Sequence, residues 1–325
     1  MATPQIDLRA DLLDWRKRLE NVIDDFEDSA HLAPLLSEVD LALQRIENGS
    51  NGICESCQEV IEDEAMKDPI ARFCLECLNK EQQRALESDI ENVSRVQHSL
   101  LPKQDLAVEG WHAYYHYEAA GPVGGDYCDL VSNGNGDLFF MVGDVSGKGI
   151  AASMLMAHLH AIFRSLIMLD LSVDQLVERA NHIFSDATMP AYYATLVCGR
   201  ARRSGEIEIC NAGHCPPLLI RSNEVVSIEA TGLPVGMFCR EQYSAVRVQL
   251  DPQDSVLLYT DGVTESRDLL NSEYGTERLN RLAASGHALM PQALTSACLD
   301  DLYLFRSGQP KTDDLTVMVI QRAFF

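Results

Sequence analysis

Residues 138–149 read LFFMVGDVSGKG. The first five are all apolar and include two aromatics. A short apolar run of this kind reads as a strand of a buried sheet. Gly143 ends the run and Asp144 follows at its tip, with Gly147 and Gly149 close behind. A carboxylate at the mouth of a dry strand costs free energy unless cations or hydrogen-bond donors offset its charge.

Three more stretches carry the same signature: Gly124-Gly125-Asp126-Tyr127, Tyr259-Thr260-Asp261-Gly262 and Asp313-Asp314-Leu315-Thr316. An apolar β run at 255–259 precedes Asp261, and another at 315–320 follows Asp313. Asp126 follows a run at 106–117 at a greater distance. One Asp-Gly pair alone reads as a turn. Four acidic strand ends together supply the hard oxygen donors that Mg²⁺ and Mn²⁺ prefer. Two such ions about 4 Å apart bind one phosphoryl group and lower the pKa of a bridging water. Further β-rich runs lie at 193–198 and 207–210, and helical periodicity at 150–169, 173–187, 276–284 and 291–305. Strand clusters alternating with helix pairs predict an α+β layered domain.

The first hundred residues have a different texture. Leu8, Leu12, Trp15, Leu19, Val22 and Phe26 form one 3–4-spaced seam, and Leu32, Leu36, Val39, Leu43 and Ile46 form a second. The short connection, in which Asp28 or Ser29 can cap the second helix, predicts an antiparallel helical hairpin. Cys54-x2-Cys57 and Cys74-x2-Cys77 then supply two knuckles of two thiols each. That spacing closes a tetrahedral structural zinc site with no open position. A third helical stretch at 78–101 stops at Pro102, with Leu86, Ile90, Val93, Gln97 and Leu100 on one stripe. The stripe suits packing on the following domain, or a two-stranded coiled coil that makes a homodimer. The expected organisation is a hairpin plus zinc module at 1–80, a linker helix at 81–103 and a larger domain at 104–325.

The 325 residues carry 26 Lys+Arg against 49 Asp+Glu, a formal charge of −23 spread along the chain rather than held in a tail. A basic face for nucleic acid, or a polybasic membrane surface, has little to be built from. No apolar run reaches transmembrane length and no export signal is visible, so a cytoplasmic location is expected. In that compartment ten cysteines point to metal or free thiols before disulfides. The six outside the knuckles (Cys128, Cys198, Cys210, Cys215, Cys239 and Cys298) are expected to be buried small hydrophobes.

The four acidic motifs, with QHSLLP at 97–102, Tyr193-Ala194-Thr195-Leu196, Asn211-Ala212-Gly213-His214-Cys215-Pro216-Pro217 and Gly232-Leu233-Pro234-Val235-Gly236, resemble the PPM-type metal-dependent protein phosphatases of the SpoIIE/RsbU-like bacterial branch. The resemblance covers about residues 90–322. It implies an α/β/β/α sandwich and two Mn²⁺ or Mg²⁺ ions. Asp144 would bridge both ions, the Val145 carbonyl would hold one, Asp261 and Asp313 would complete the other, and Asp126 would act through a water. The doubled aspartate leaves Asp314 as the alternative to Asp313. The implied reaction is in-line attack of activated water on phosphoserine or phosphothreonine, and the implied substrate a phosphorylated STAS-type anti-sigma-factor antagonist. The stretch ALQRIENGSNGICESCQEVIEDEAMKDPIARFCLEC at 42–77 resembles the DksA/TraR zinc finger. Asp25-x2-Asp28-x-Ala30 matches the acidic hairpin tip with which that family reaches RNA polymerase.

Three rival readings use the same residues. His214-Cys215-x5-Arg221-Ser222 fits the loose signature of cysteine-dependent phosphatases, but Pro216 and Pro217 remove two of the N–H groups that a phosphate cradle needs. The 143–149 stretch lacks the G-x4-G-K-S/T spacing of a nucleotide loop, so Lys148 reads as an entry-side charge. The non-enzyme reading is a DksA-type RNA-polymerase-binding regulator whose phosphatase-like domain binds a partner. The intact aspartate set counts against it.

Overall fold

In the computed structural model the acidic strand runs Leu138–Val145 (β4), and its side chains alternate between two cores. Leu138, Phe140 and Val142 enter a core between two sheets. Phe139, Met141 and Val145 enter a second core under helices. Both faces are dry, which is why the strand reads as an unbroken apolar run. The structure describes residues 8–25, 33–61, 71–77, 80–169, 171–189, 191–222 and 224–323. The chain divides into two compact units, Met1–Asp89 and Ile90–Phe325.

In the larger unit β4 belongs to a five-stranded antiparallel sheet. β3 (Asp126–Ser132), β4, β5 (Ala194–Ala201), β6 (Glu206–Ala212) and β9 (Val246–Gln249) lie side by side in that order. The facing sheet has six strands: β1 (Asp105–Val108), β2 (Trp111–Glu118), β11 (Leu315–Arg322), β10 (Ser255–Tyr259), β7 (Leu218–Arg221) and β8 (Glu224–Ser227). Val256 and Leu258 of β10, with Met318 and Ile320 of β11, meet Phe140 and Val142 between the sheets. Their neighbours Leu257, Tyr259, Val317 and Val319 point the other way.

Helices cover both outer faces. α4 (Gly149–Leu166) and α5 (Val173–Ala187) close the five-stranded sheet with Met156, Leu159, Phe163, Leu176 and Phe184. α5 opens with a capping box between Ser172 and Gln175. α7 (Thr276–Ser285) and α8 (Pro291–Arg306) close the six-stranded sheet with Leu279, Leu294 and Leu302. The result is a four-layer sandwich, helix on sheet on sheet on helix, with two sheets as expected.

Two stretches differ from the sequence reading. The run at 106–117 is two strands, because Glu109 (φ 42°) and Gly110 (φ 88°) turn the chain back as a tight hairpin. Asp126 does not trail that run; it begins its own strand, β3, paired with β4 from Asp126↔Asp144 to Ser132↔Leu138. Two aspartates in seven residues hide β3 in the sequence. The second of them, Asp129, is fully buried. It accepts hydrogen bonds from Arg164 Nε (2.7 Å), Arg164 Nη2 (2.6 Å) and the Leu130 N–H (2.8 Å), so its charge is met from α4.

In the smaller unit, α1 (Leu8–Asp25) and α2 (Ala33–Glu47) bury Leu12 and Leu19 against Val39, Ala42 and Leu43. Arg16 donates to Asp40 at 2.6 Å and Arg9 to Glu47 at 3.3 Å, which holds the start of α1 beside the end of α2. Phe26, Asp28, Ser29, Ala30 and Leu32 lie outside the described residues, as does the side chain of Asp25, and with them the acidic tip pattern. α3 (Lys80–Leu100) ends with Gln97 buried and Leu100 packed on the core under α4 and α5. No helix among the described residues is long and apolar enough to cross a membrane.

One cross-strand pair tests the inter-sheet packing. Phe140 lies opposite Gly199, and a Cβ on Gly199 would sit 1.9 Å from Phe140 Cζ. Gly199→Ala is therefore expected to lose about 1–3 kcal/mol in urea denaturation, the range for overpacking. Adding Phe140→Leu should recover part of that loss. Strictly additive losses would show that the clash is not the cause.

Candidate active site

The acidic motifs converge where the two sheets meet. β3 and β4 place Asp126 directly opposite Asp144. β10 ends at Tyr259, and Asp261 opens the short helix α6 (Asp261–Thr264) immediately after it. Asp313 and Asp314 immediately precede β11. Asp126 and Asp144 thus come from one sheet, and Asp261, Asp313 and Asp314 from the other.

Two of these carboxylates tie the sheets together. Asp126 is 1% exposed, and its Oδ2 accepts hydrogen bonds from Thr260 Oγ1 (2.9 Å) and Thr316 Oγ1 (2.6 Å) of the opposite sheet. The threonines are also joined to each other, because the Thr316 N–H donates to Thr260 Oγ1 at 3.0 Å. In return, Asp314 crosses towards β3. Its Oδ2 accepts from the N–H groups of Gly125 (2.6 Å) and Asp126 (3.4 Å), and its Oδ1 from that of Ala120 (2.7 Å). Glycine is required along this seam. A Cβ on Gly124 would lie 2.5 Å from Asp314 Oδ2, and one on Gly262 only 1.8 Å from the Asp314 carbonyl oxygen.

The remaining carboxylates face one another, and among the described residues Lys148 is the cation that acts on them. Burial, then Asp261, Asp313 and Asp314, push the Asp144 carboxyl up to about 8, while Lys148 works in the opposite direction. Burial and Asp313 likewise raise Asp261. Asp126 is held well above the usual carboxylate range by burial first, then by Asp144 and Asp314. Lys148 Nζ lies 3.3 Å from Asp313 Oδ2 and donates to the Thr312 carbonyl at 2.8 Å. The Val145 carbonyl oxygen is close to the same seam, 3.0 Å from where a Cβ on Gly125 would stand. Carboxylate and carbonyl oxygens whose charges disfavour one another fit hard divalent cations such as Mg²⁺ and Mn²⁺.

A layer of polar side chains to which the sequence reading gave no role at the site supports this group. Thr195 lies opposite Asp144, and its Oγ1 meets His214 Nδ1 at 2.8 Å. The turn carrying His214 is held by Asn211, whose Oδ1 accepts from the His214 N–H and whose Nδ2 donates to the His214 and Ile228 carbonyls. Burial lowers His214 to about 4, so it is neutral at ordinary pH. Tyr117 stands beside Gly124, its phenol raised by burial and by Asp314 and Asp126. Thr260 and Thr316 were visible only as members of their Asp motifs, and nothing in their spacing marked them as partners of Asp126. Cys215 is raised to about 12, chiefly by burial, the reverse of what a thiolate nucleophile needs. Four of the six other cysteines are buried as expected, Cys215 partly, and Cys239 is exposed.

In the smaller unit the four cysteines come together. The ligand atoms of Cys54, Cys57, Cys74 and Cys77 all lie within 4.8 Å of one another, and among the described residues no three carboxylates form so tight a group. Ile53 and Val60 bridge the first knuckle, and a 3₁₀ turn at Leu75–Cys77 shapes the second. The Cys57 backbone N–H, followed by those of Cys74 and Ser56, draws the Cys54 thiol down to about 6. The neighbouring thiols push Cys77 up to about 12. Thiols this crowded suit a soft cation that takes four thiolates. Glu55 pairs with Arg72 across the knuckles at 2.7 Å, and Arg45 of α2 donates to the Ala71 carbonyl at 2.8 Å.

The chain is similar to several curated proteins. It is 24% identical over 243 residues to phosphoserine phosphatase RsbU of Bacillus subtilis, covering 74% of this chain and 72% of that protein. It is 24% identical over 263 residues to protein IcfG of a Synechocystis strain, covering 72% of this chain but 41% of IcfG, so it spans well under half of that relative. Among solved structures, the SiaA-PP2C domain of Pseudomonas aeruginosa superposes with a TM-score of 0.65 at 17% identity, over 75% of this chain and 98% of that domain. That likeness shows a shared PP2C-type fold. The family model described as Stage II sporulation protein E (SpoIIE) matches residues 134–323. With more than half of its length inside that model, the chain belongs to the SpoIIE family.

Proposed function

We propose that the protein is a metal-dependent protein phosphatase acting on phosphoserine or phosphothreonine of a signalling protein. The observation that carries this reading is the meeting of Asp126 and Asp144 from one sheet with Asp261 and Asp313 from the other. Two Mn²⁺ or Mg²⁺ ions bound there would supply an activated water and offset the charge of the phosphoryl oxygens. Asp144 would share both ions, with Val145 lending its carbonyl to one and Asp261 and Asp313 completing the other. The hydrogen bonds of Asp314 favour Asp313 over Asp314 as a ligand, because both Asp314 oxygens already accept from backbone N–H groups. Asp126, oriented by Thr260 and Thr316, would act through a water. Lys148 at the mouth tempers the acidic field that a phosphorylated side chain must enter.

The relatives' names, with RsbU called a phosphoserine phosphatase, support the activity. The resemblance carried by the sequence motifs makes an anti-sigma-factor antagonist of the STAS type the substrate class to test first. In this reading the hairpin and a zinc-loaded four-cysteine module form a regulatory input in a cytoplasmic protein. α3 is the linker to the phosphatase domain, and a second copy pairing along it would make a dimer.

Three outcomes are expected. Wild-type protein with Mn²⁺ hydrolyses p-nitrophenyl phosphate, and Asp144→Asn loses about a hundredfold or more. A wild type inert with every divalent metal would end the enzyme reading. The second concerns pH. Asp144 has its carboxyl raised to about 8 in the fold, so that contribution to stability is full below about pH 4 and is lost as pH rises through 8. Chelator-treated protein should therefore melt at progressively lower temperature across that window, and Mn²⁺ should raise the melting temperature more at pH 8 than at pH 5.5. A metal effect independent of pH would mean that these carboxyls do not take up the ion. The third is one zinc per chain by elemental analysis, lost in Cys57→Ser and Cys74→Ser. Equal zinc in the variants would remove the cysteine site.

A further inference from the structure

The glycine turn that leads into Asp126 carries no side chain that could anchor it. A Cβ on Gly124 would collide with Asp314 Oδ2 and, at 2.7 Å, with the Tyr117 hydroxyl. The turn must therefore be held through its backbone. Asp314 takes the N–H groups of Gly125 and Asp126, and the Gly125 carbonyl accepts from the Val145 N–H at 3.3 Å. Gly124 itself is held from outside the sheets. Gln97, 5% exposed near the end of α3, donates from Nε2 to the Gly124 carbonyl at 2.6 Å and accepts the Gly124 N–H on Oε1 at 3.1 Å. The side-chain amide thus satisfies both backbone groups of one residue, as a neighbouring strand would. A carboxamide carries its donor and acceptor side by side in one plane at any ordinary pH, and the shorter Asn starts one methylene farther away.

The end of α3 is itself fixed. Leu100 packs on the core under α4 and α5, and Leu101 on the core between the sheets. Gln97 lies outside the stretch matched by the family model, which begins at residue 134. On the reading that Asp126, Asp144 and Val145 hold divalent metal, we infer that Gln97 is a positioning residue for that site. By clamping Gly124 it sets the backbone of Gly125 and Asp126, and so the height of the Asp126 carboxylate and the approach of Gly125 to the Val145 carbonyl. A loosened clamp leaves every ligand present and lets the turn drift. Metal affinity and turnover then suffer, while recognition of a small substrate does not.

The test uses full-length Gln97→Met, which keeps the volume and removes both hydrogen bonds, beside Leu100→Ala, which weakens the packing of the same helix. Half-maximal Mn²⁺ for p-nitrophenyl phosphate hydrolysis, kcat, KM and the Mn²⁺-induced rise in melting temperature are measured for each. Gln97→Met is expected to raise the half-maximal Mn²⁺ concentration about tenfold, the effect typical of groups that orient metal ligands, and to lower kcat with KM little changed. Leu100→Ala is expected to melt earlier with the Mn²⁺ requirement unaltered. Should Gln97→Met fail to fold, Gln97→Glu, which keeps the acceptor for the Gly124 N–H, is expected to shift the Mn²⁺ requirement in the same direction. A wild-type Mn²⁺ requirement in the Gln97 variants, or an equal shift in Leu100→Ala, overturns the inference. If Asp144→Asn is dead while Gln97→Met is normal, the inference falls and the phosphatase reading stands. A wild type that neither turns over nor gains stability with Mn²⁺ removes both.

Discussion

The site depends on a reciprocal exchange between two buried carboxylates. Asp126 of the five-stranded sheet takes its hydrogen bonds from two threonines of the six-stranded sheet, and Asp314 of the six-stranded sheet takes its own from the backbone leading into β3. Neither carboxylate could be buried without the other sheet, because each would lack the donors that offset its desolvation. The exchange sets the spacing of the sheets at their open edge. It also leaves Asp144, Asp261 and Asp313 facing one another with their charges only partly met by Lys148. Stability at this edge is given up for a strong demand for positive charge, a balance that functional sites commonly show.

Glycines make that exchange possible. Gly124 and Gly262 lie so close to Asp314 that any side chain would displace it. The backbone therefore reaches the carboxylate directly, and the turn into Asp126 depends on hydrogen bonds from its neighbours rather than on packing of its own. This is why a residue as distant in sequence as Gln97 bears on the geometry of Asp126.

The legible parts of the fold were those where local pattern and tertiary role agree. β10 and β11 are dry on both faces, so their apolar runs gave them away. α5 carries a capping box as well as a helical stripe, and its limits at Val173 and Ala187 were readable. β3 was not readable, because Asp126 and Asp129 break its apolar pattern and are compatible with a strand only once Thr260, Thr316 and Arg164 are in place. The hairpin of β1 and β2 was read as one run because its turn uses a glutamate at positive φ, where sequence expectation looks for Asn or Gly.

The sequence by itself determined the residue inventory: two C-x2-C pairs at a spacing that brings four sulfurs together, four Asp-bearing strand ends, and the SpoIIE-like order of motifs. These are local, since each depends on a few neighbouring residues and on the period of strand or turn. Only the tertiary structure decided the division of labour among the aspartates, with Asp314 engaged by backbone N–H groups, Asp126 bound by two hydroxyls, and Asp313 left beside Lys148. It alone brought Gln97, Thr195 and His214 into the support of the site. The physical reason is that a carboxylate's role is set by which donors and charges surround it, and here those come from strands and helices up to about two hundred residues away in the chain.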